Sequence, residues 1–139
     1  MTGEITFTMI KPSAVAQGIT GTIFSEIEQA GFRISALRMK KMTLEEAGKF
    51  YEIHRGRPFY PDLIEYMSSG PVVAAVLTKA NAVDDFRKLI GETDPAKAAE
   101  GTIRKKYGEN VRQNAIHGSD NDDHALEEAA FFFSKEERY

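Results

Sequence analysis

Apolar and polar positions follow a two-residue period in two stretches of the chain. Residues 5–9 alternate apolar side chains with threonines, which predicts a strand that ends at Pro12, because proline cannot donate to a ladder. The same period over 32–39 predicts a second strand. Residues 72–77 are apolar throughout and predict a central strand covered on both faces. A short fourth strand is predicted over 115–117.

Helical spacing of apolar residues fills the intervals between these strands. Apolar residues recur at helical spacing over 19–30, and Gly31 follows as a plausible C-cap. Thr43 and Glu46 form a capping-box pattern ahead of the next helix. Further helices are predicted over 62–67, from an Asn81 cap to Gly91, and over 125–130, after which 131–133 return to the core. The segment 92–114 is polar and carries no predicted element.

This order of elements places strands and helices around one sheet, so the fold class is α/β or α+β. A split βαβ, ferredoxin-like arrangement fits the order, as does a small doubly wound sheet. The 139 residues predict one domain, 1–139.

Composition narrows the function classes. The net charge of −3 gives no general attraction to nucleic acid or to an anionic membrane. The absence of cysteine removes disulfides and thiol catalysis. Residues 1–10 lack a basic region followed by a long apolar stretch, so we expect no signal peptide, and the longest apolar run, 72–77, is too short to cross a bilayer. We therefore expect a cytoplasmic protein with no membrane partner.

His117 is the first candidate for chemistry. It lies between an apolar strand and a Gly-Ser-Asp turn, where a side chain can reach a cleft. Neutral imidazole is a good nucleophile near pH 7. Pattern alone also allows a histidine packed at the strand end. Glu127 or Glu128 follows on a helix that could fold back, so that one carboxylate orients the imidazole, although the pattern alone favours a solvated Glu-Glu pair.

A second group of candidates would bind an anion. Lys11, Arg87 and Arg104 each lie near the end of a predicted element, and guanidinium forks match phosphate oxygens. Thr93 could offer a hydroxyl to a phosphate. Taken singly, these residues are also compatible with ordinary surface positions.

Two further groups have competing interpretations. The acidic stretch 120–123 with the neighbouring histidines could hold magnesium or calcium, but helix N-terminal acids explain it better. Tyr51 and Phe59 could be core aromatics, or one of them could stack on a base at a cleft mouth.

Together these segments resemble the nucleoside diphosphate kinase family over about residues 5–132. The resemblance rests on six blocks in the family's order and spacing: 8–12 (TMIKP), 57–60 (RPFY), 67–72 (MSSGPV), 87–91 (RKLIG), 101–104 (GTIR) and 114–120 (NAIHGSD). It implies a ferredoxin-like βαββαβ antiparallel sheet covered by helices, an α+β fold. It also implies ping-pong transfer of a terminal phosphoryl group from a nucleoside triphosphate to a nucleoside diphosphate.

The resemblance implies a role for each matching residue. His117 would be phosphorylated transiently, Glu128 would hold its other ring nitrogen, and Ser119 would support that carboxylate. Phe59 matches the base-stacking position. Phosphate, ribose and transition-state contacts are matched by Lys11, Tyr51, Arg87, Thr93, Arg104 and Asn114. Magnesium (Mg2+) would arrive on the nucleotide phosphates, with few or no protein ligands. The family assembles as dimers built into a tetramer or a hexamer, so we expect a homo-oligomer.

The sequence departs from the family at several positions. Ser13 stands where Asp usually follows Lys-Pro, and the lost carboxylate is expected to loosen Lys11 and lower the rate. Smaller departures occur at Phe50, Glu100 and Asn121. Two other functions share the fold: a nucleotide- or RNA-binding module without turnover, which the negative charge disfavours for RNA, and a phosphoryl hydrolase that uses water.

Overall fold

A four-stranded antiparallel sheet organises the chain in the computed structural model, which describes all 139 residues. The strands are β1 (Ile5–Ile10), β2 (Arg33–Lys40), β3 (Val72–Thr78) and β4 (Ile116–Gly118), in the order β2-β3-β1-β4. Strands β1 and β3 are therefore central, which explains the continuous apolar run of β3. The antiparallel pairing confirms the ferredoxin-like arrangement and excludes a doubly wound parallel sheet.

Seven α-helices and two short 3₁₀ turns connect and cover the strands. The helices are α1 (Pro12–Ala16), α2 (Thr20–Gln29), α3 (Leu44–Phe50), α4 (Tyr60–Met67), α5 (Ala82–Ile90), α6 (Ile103–Tyr107) and α7 (Asp122–Phe132). The 3₁₀ turns are Glu52–His54 and Lys135–Glu137. None of these helices combines the length and the apolar character that a membrane crossing requires.

Both faces of the sheet carry a hydrophobic core. Residues of α2 and α5, such as Ile23 and Phe86, pack on one face, and residues of α4 and α7, such as Met67 and Phe132, pack on the other. Since both faces are covered, Thr6 and Thr8 of β1 are fully buried as well. The polar positions of the first strand thus face the protein interior and not solvent.

Several local predictions hold and others need correction. The capping box at Thr43 is confirmed, with backbone N–H bonds of 2.9 and 3.0 Å between Thr43 and Glu46. Asn81 precedes α5, but its side chain caps no helical N–H; it has a left-handed φ of 56° and its Oδ1 accepts from the N–H of Thr2. Of the three terminal phenylalanines, Phe131 remains 39% exposed.

The largest departure lies in the polar segment 92–114, which contains helix α6. Its N-cap is Thr102, whose hydroxyl accepts from the backbone N–H of Lys105. Strand β4 begins one residue later than predicted, because Ala115 has a φ of 77°, outside the strand region. The α6 segment and the start of β4 together bring Arg104 and His117 to the same end of the sheet.

Candidate active site

His117 lies in β4, beside the central strand β1. It pairs with Met9, and its carbonyl accepts a bond of 2.8 Å from the hydroxyl of Thr8. The next residue is a closely packed glycine, because a Cβ at Gly118 would lie 2.8 Å from Cδ1 of Ile90 in α5. The strand that carries the imidazole is therefore clamped between β1 and α5.

A carboxylate from α7 holds the imidazole. Oε1 of Glu128 lies 2.9 Å from Nε2 of His117 and accepts a 2.7 Å bond from the hydroxyl of Ser119. Burial by itself raises the pKa of Glu128, but the imidazole and the Ser119 hydroxyl outweigh it and hold this pKa below its usual value. Glu127 is exposed on the same helix. The geometry thus selects Glu128 from the two adjacent glutamates.

The pair opens into a cavity of about 450 Å³. Nine of the ten predicted site residues line it: Lys11, Tyr51, Phe59, Arg87, Thr93, Arg104, Asn114, His117 and Glu128. The tenth, Ser119, is fully buried behind Glu128. Residues that are up to 117 positions apart in the chain therefore converge on one volume, as the sequence predicts.

Buried cations make the cavity favourable for an anion. The guanidinium of Arg104 donates to the carbonyls of Gly91 at 3.0 Å and Ile116 at 2.9 Å. Burial, and then the neighbouring Arg87, lower its pKa to about 10. Arg87 is more exposed and donates to Asp120 at 2.9 Å.

Lys11 is the most perturbed of these cations. Its ammonium donates to the carbonyl of Arg112 at 3.3 Å and is almost fully buried. Burial, with the positive charges of Arg104 and Arg112, lowers the pKa of Lys11 to about 7. The hydroxyl of Ser13 lies 2.6 Å from the hydroxyl of Tyr66 and makes no hydrogen bond to this ammonium. The two residues make separate contacts.

Three buried polar atoms of the cavity residues have no partner within the protein. They are the hydroxyl of Tyr51, Nε of Arg104 and Oδ1 of Asn114. Burial and the nearby charge of Glu128 raise the pKa of Tyr51, so its hydroxyl stays a donor. Unpaired buried polar groups are costly. These three atoms fit a polar ligand that satisfies them.

Aromatic rings surround the imidazole and the cavity mouth. Phe50 and Tyr51 approach His117 edge-on, with centroids 5.6 and 6.3 Å away. Phe59 is 41% exposed, and its ring packs against that of His54 with the centroids 5.4 Å apart. The rings near His117 limit its rotation, and the exposed ring of Phe59 leaves a face for stacking.

The acidic stretch does not assemble a metal site. Asp120 pairs with Arg87, and both oxygens of Asp122 accept from the N–H of Gly3. No three His, Cys, Asp or Glu side chains of the chain converge on a point that could hold an ion. Asp122 and Asp123 lie in the first turn of α7, where acids complement the helix dipole.

Sequence reasoning missed several residues that line the cavity. Among them are His54 and Arg112, whereas His124 was considered only as a metal ligand beside the acidic stretch. Arg112 stands two residues before Asn114 in the block 114–120, so its proximity to a matched block was the one available signal. His54 carries no such signal, because it comes from the 3₁₀ turn after α3.

Fold and site together define an α+β phosphotransferase, in which an oriented histidine faces a cationic cleft. The nucleoside diphosphate kinase family matches residues 4–138. The chain belongs to this family and is an enzyme of the transferase class.

Individual relatives agree along nearly the whole chain. A nucleoside diphosphate kinase of Flavobacterium psychrophilum is 54% identical over 134 residues, 96% of each protein. One of Chlorobium luteolum is 52% identical over the same share. The crystal structure of the Aquifex aeolicus enzyme superposes with a TM-score of 0.95 at 45% identity, covering 98% of this chain and 99% of that one. The structure of a Halobacterium salinarum nucleoside diphosphate kinase in complex with CDP superposes with a TM-score of 0.94 at 37% identity, covering 99% of this chain and 91% of that one.

Proposed function

We propose that the chain transfers the terminal phosphoryl group of a nucleoside triphosphate to a nucleoside diphosphate, reversibly, through a phosphohistidine on His117. One observation carries this assignment. Glu128 accepts the Nε2 proton of His117 at 2.9 Å, which leaves the lone pair on Nδ1. A neutral imidazole with a free Nδ1 in a cationic cavity is a nucleophile for an electrophilic phosphorus.

The step balances without any other reactant. The Nδ1 lone pair attacks the terminal phosphorus, the N–P bond forms, and the P–O bond to the adjacent phosphate breaks. The diphosphate leaves with the electron pair of that bond. A second diphosphate attacks the phosphohistidine by the reverse path. Glu128 stabilises the positive charge that develops on the ring, and Ser119 orients Glu128.

The cationic side chains act on the phosphates. Phosphoryl transfer needs in-line positioning and stabilisation of charge more than it needs covalent chemistry. Lys11, Arg87 and Arg104 supply positive charge, and the unpaired Nε of Arg104 offers a further donor. The hydroxyls of Thr93 and Tyr51, which also line the cavity, complete the set.

The other end of the cavity takes the nucleoside. Phe59 offers its exposed ring for stacking, a contact that tolerates any base. We expect Lys11 and the unpaired Oδ1 of Asn114 to bind the ribose. The CDP complex of the Halobacterium relative supports a nucleotide in this role.

The residues fit magnesium that arrives on the nucleotide. The only carboxylates that line the cavity are Asp120 and Glu128, and both already accept from protein donors. Phosphate oxygens would then be the main ligands, and the ion would neutralise charge on the phosphates when bound.

We further propose a single domain that assembles as a homo-oligomer, a tetramer or a hexamer built from dimers. Edge strand β2 supports an interface, because Leu37 and Met39 are 56% and 62% exposed on it. Light scattering on a sizing column measures the assembly. A monomer at micromolar concentration would contradict it. A cytoplasmic location stays a prediction.

Intact mass after brief incubation with Mg2+ and ATP tests the mechanism. We expect one added phosphate on the wild type, which disappears when a diphosphate is added. The chain has three histidines, and all three line the cavity. The phosphate should therefore be absent from His117→Ala and retained in His54→Ala and His124→Ala. An unmodified wild type that binds nucleotide would refute the phosphohistidine and leave a binding module or a hydrolase.

A further inference from the structure

Arg112 differs from the other arginines of the cavity in what its guanidinium contacts. Arg87 and Arg104 each donate to a protein oxygen within 3.0 Å. The guanidinium of Arg112 donates no hydrogen bond inside the protein, and its nearest acid, Asp62, is 3.7 Å away. Its side chain is 39% exposed and lines the cavity. Arg112 therefore keeps its planar set of donors free.

The backbone under Arg112 is held firmly. Oδ1 of Asn110 accepts from the N–H groups of Arg112 and Gln113 at 3.0 and 2.8 Å. The carbonyl of Arg112 accepts from Lys11. The free guanidinium thus projects from an anchored loop, which lowers the entropy lost when it binds a ligand.

The position of Arg112 places it at the base end of the cavity. Its ion-pair partner Asp62 follows Phe59 by three residues, so both lie on neighbouring positions of the α4 surface. Val111, which precedes Arg112, also lines the cavity and is 56% exposed. A base stacked on Phe59 would therefore lie on the side of the cavity that carries the Arg112 guanidinium.

A guanidinium fork selects among base edges. Guanine presents two adjacent acceptors, O6 and N7, whereas adenine pairs its N7 acceptor with an N6 amino donor. We propose that Arg112 reads the O6/N7 edge and makes the enzyme favour guanine nucleotides over adenine nucleotides. This inference rests on the proposed function, because it assumes that Phe59 carries the base. Stacking still admits every base, and Arg112 adds a preference among them.

The ion pair with Asp62 does not compete with this role. Both side chains are partly solvated, at 39% and 68% exposure, and such pairs contribute little to stability. Asp62 holds the guanidinium beside α4 without occupying its donors. A ligand with two acceptors gains the hydrogen bonds that the carboxylate does not make.

Steady-state kcat/KM for four acceptor diphosphates tests the proposal. GDP and IDP keep O6 and N7, 7-deaza-GDP loses N7, and ADP replaces O6 by an amino group. For the wild type we expect GDP and IDP to exceed ADP and 7-deaza-GDP by about fivefold to tenfold, the lower end for a bidentate arginine–guanine contact. The ratio of kcat/KM for GDP to kcat/KM for ADP should fall to about one in Arg112→Ala. It should fall most of the way to one in Arg112→Lys, which keeps the charge but not the fork.

Arg55→Ala is the matched control, because Arg55 is an exposed arginine outside the cavity lining. It should keep the wild-type ratio. The proposal is overturned if 7-deaza-GDP equals GDP, if the ratio survives in Arg112→Ala, or if that variant lowers all four values equally, as a phosphate contact would. Failure of the proposed function is distinguishable, because the wild type would then form no phosphoenzyme with any triphosphate.

Discussion

The hydroxyl of Ser119 donates to the same oxygen of Glu128 that lies against the His117 imidazole, at a distance of 2.7 Å. One carboxylate oxygen therefore receives two donors, one from the strand end and one from the residue two positions later. The hydroxyl oxygen also lies 3.3 Å from the carbonyl of Phe7, which ties the network to the central strand. This arrangement couples the charge of Glu128 to the orientation of the imidazole.

Ser119→Ala should slow phosphoenzyme formation about tenfold, the value of one hydrogen bond to a charged group. The loss of this donor also raises the pKa of Glu128, so the acid limb of the kcat/KM profile should move to higher pH. Stopped-flow turnover between pH 4 and 8, roughly the range around an ordinary carboxyl pKa, measures both effects. Ser25→Ala, on the exposed face of α2, is the control. An unchanged acid limb would show that the Ser119 hydroxyl does not lower the pKa of Glu128.

The same carboxylate links stability to acid pH. Its folded-state pKa lies below the usual value, so its contribution is fully present above the pKa that it has in the unfolded chain and is lost as pH falls through the folded-state value. We expect Glu128→Gln to flatten the acid limb of the unfolding free energy measured by urea titration. A wild-type slope that persists in this variant would assign the acid sensitivity to other groups.

Lys11 should give a linkage of the same sign in a window at higher pH. Its folded-state pKa of about 7 lies below its ordinary value of 10.5, so the unfolded chain binds more protons between these pH values, and this group makes the protein more stable as pH rises through that window. Nucleotide phosphates should restore its charge. Calorimetric binding of ADP at pH 8, in buffers of different ionisation enthalpy, should therefore show proton uptake that Lys11→Gln abolishes. Equal heats in all buffers would contradict it.

Arg104→Lys should damage both stability and catalysis. The guanidinium of Arg104 donates hydrogen bonds to the carbonyls of Gly91 and Ile116, and a single ammonium cannot reach both in the same geometry. A buried acceptor left unpaired costs about 1–3 kcal/mol, which urea unfolding without nucleotide should show. The rate of phosphoenzyme formation should fall by about 10²-fold or more, as expected when one donor of a dry site is lost. Arg57→Lys, at an exposed position outside the cavity lining, is the control for the arginine-to-lysine substitution.

Gly118→Ala should destabilise the chain although it adds only a methyl group. The new Cβ would lie 2.8 Å from Ile90 and 3.1 Å from Phe86, and overpacking of this kind costs about 1–3 kcal/mol. Thermal unfolding measures the loss, and phosphoenzyme formation reports whether His117 moves with the strand. Gly21→Ala in α2 is the matched control: no atom lies within 4 Å of its Cβ, so we expect a small gain in stability. Equal melting points for the two variants would refute the packing argument.

The local pattern predicted most of the elements because each reports a local property. Alternation over 5–9, the apolar run over 72–77 and the Thr43 capping box depend on side chains within a few residues of one another. The pattern did not predict helix α6, because the stability of this helix comes from the Thr102 cap and from the packing of Ile103. The polar composition around it also masks the helical period.

Residue types alone specify which side chains could carry chemistry, since imidazole, carboxylate, guanidinium and hydroxyl groups belong to particular amino acids. The six ordered blocks also pointed to one family. Pairing between strands decided the antiparallel topology that the element order had left open. Only the tertiary structure brought the Glu128 carboxylate within 2.9 Å of the imidazole, buried Lys11 enough to lower its pKa, and left the guanidinium of Arg112 without a hydrogen-bond acceptor. These outcomes depend on distances between segments far apart in the chain, and on the water excluded when they pack, which no local pattern encodes.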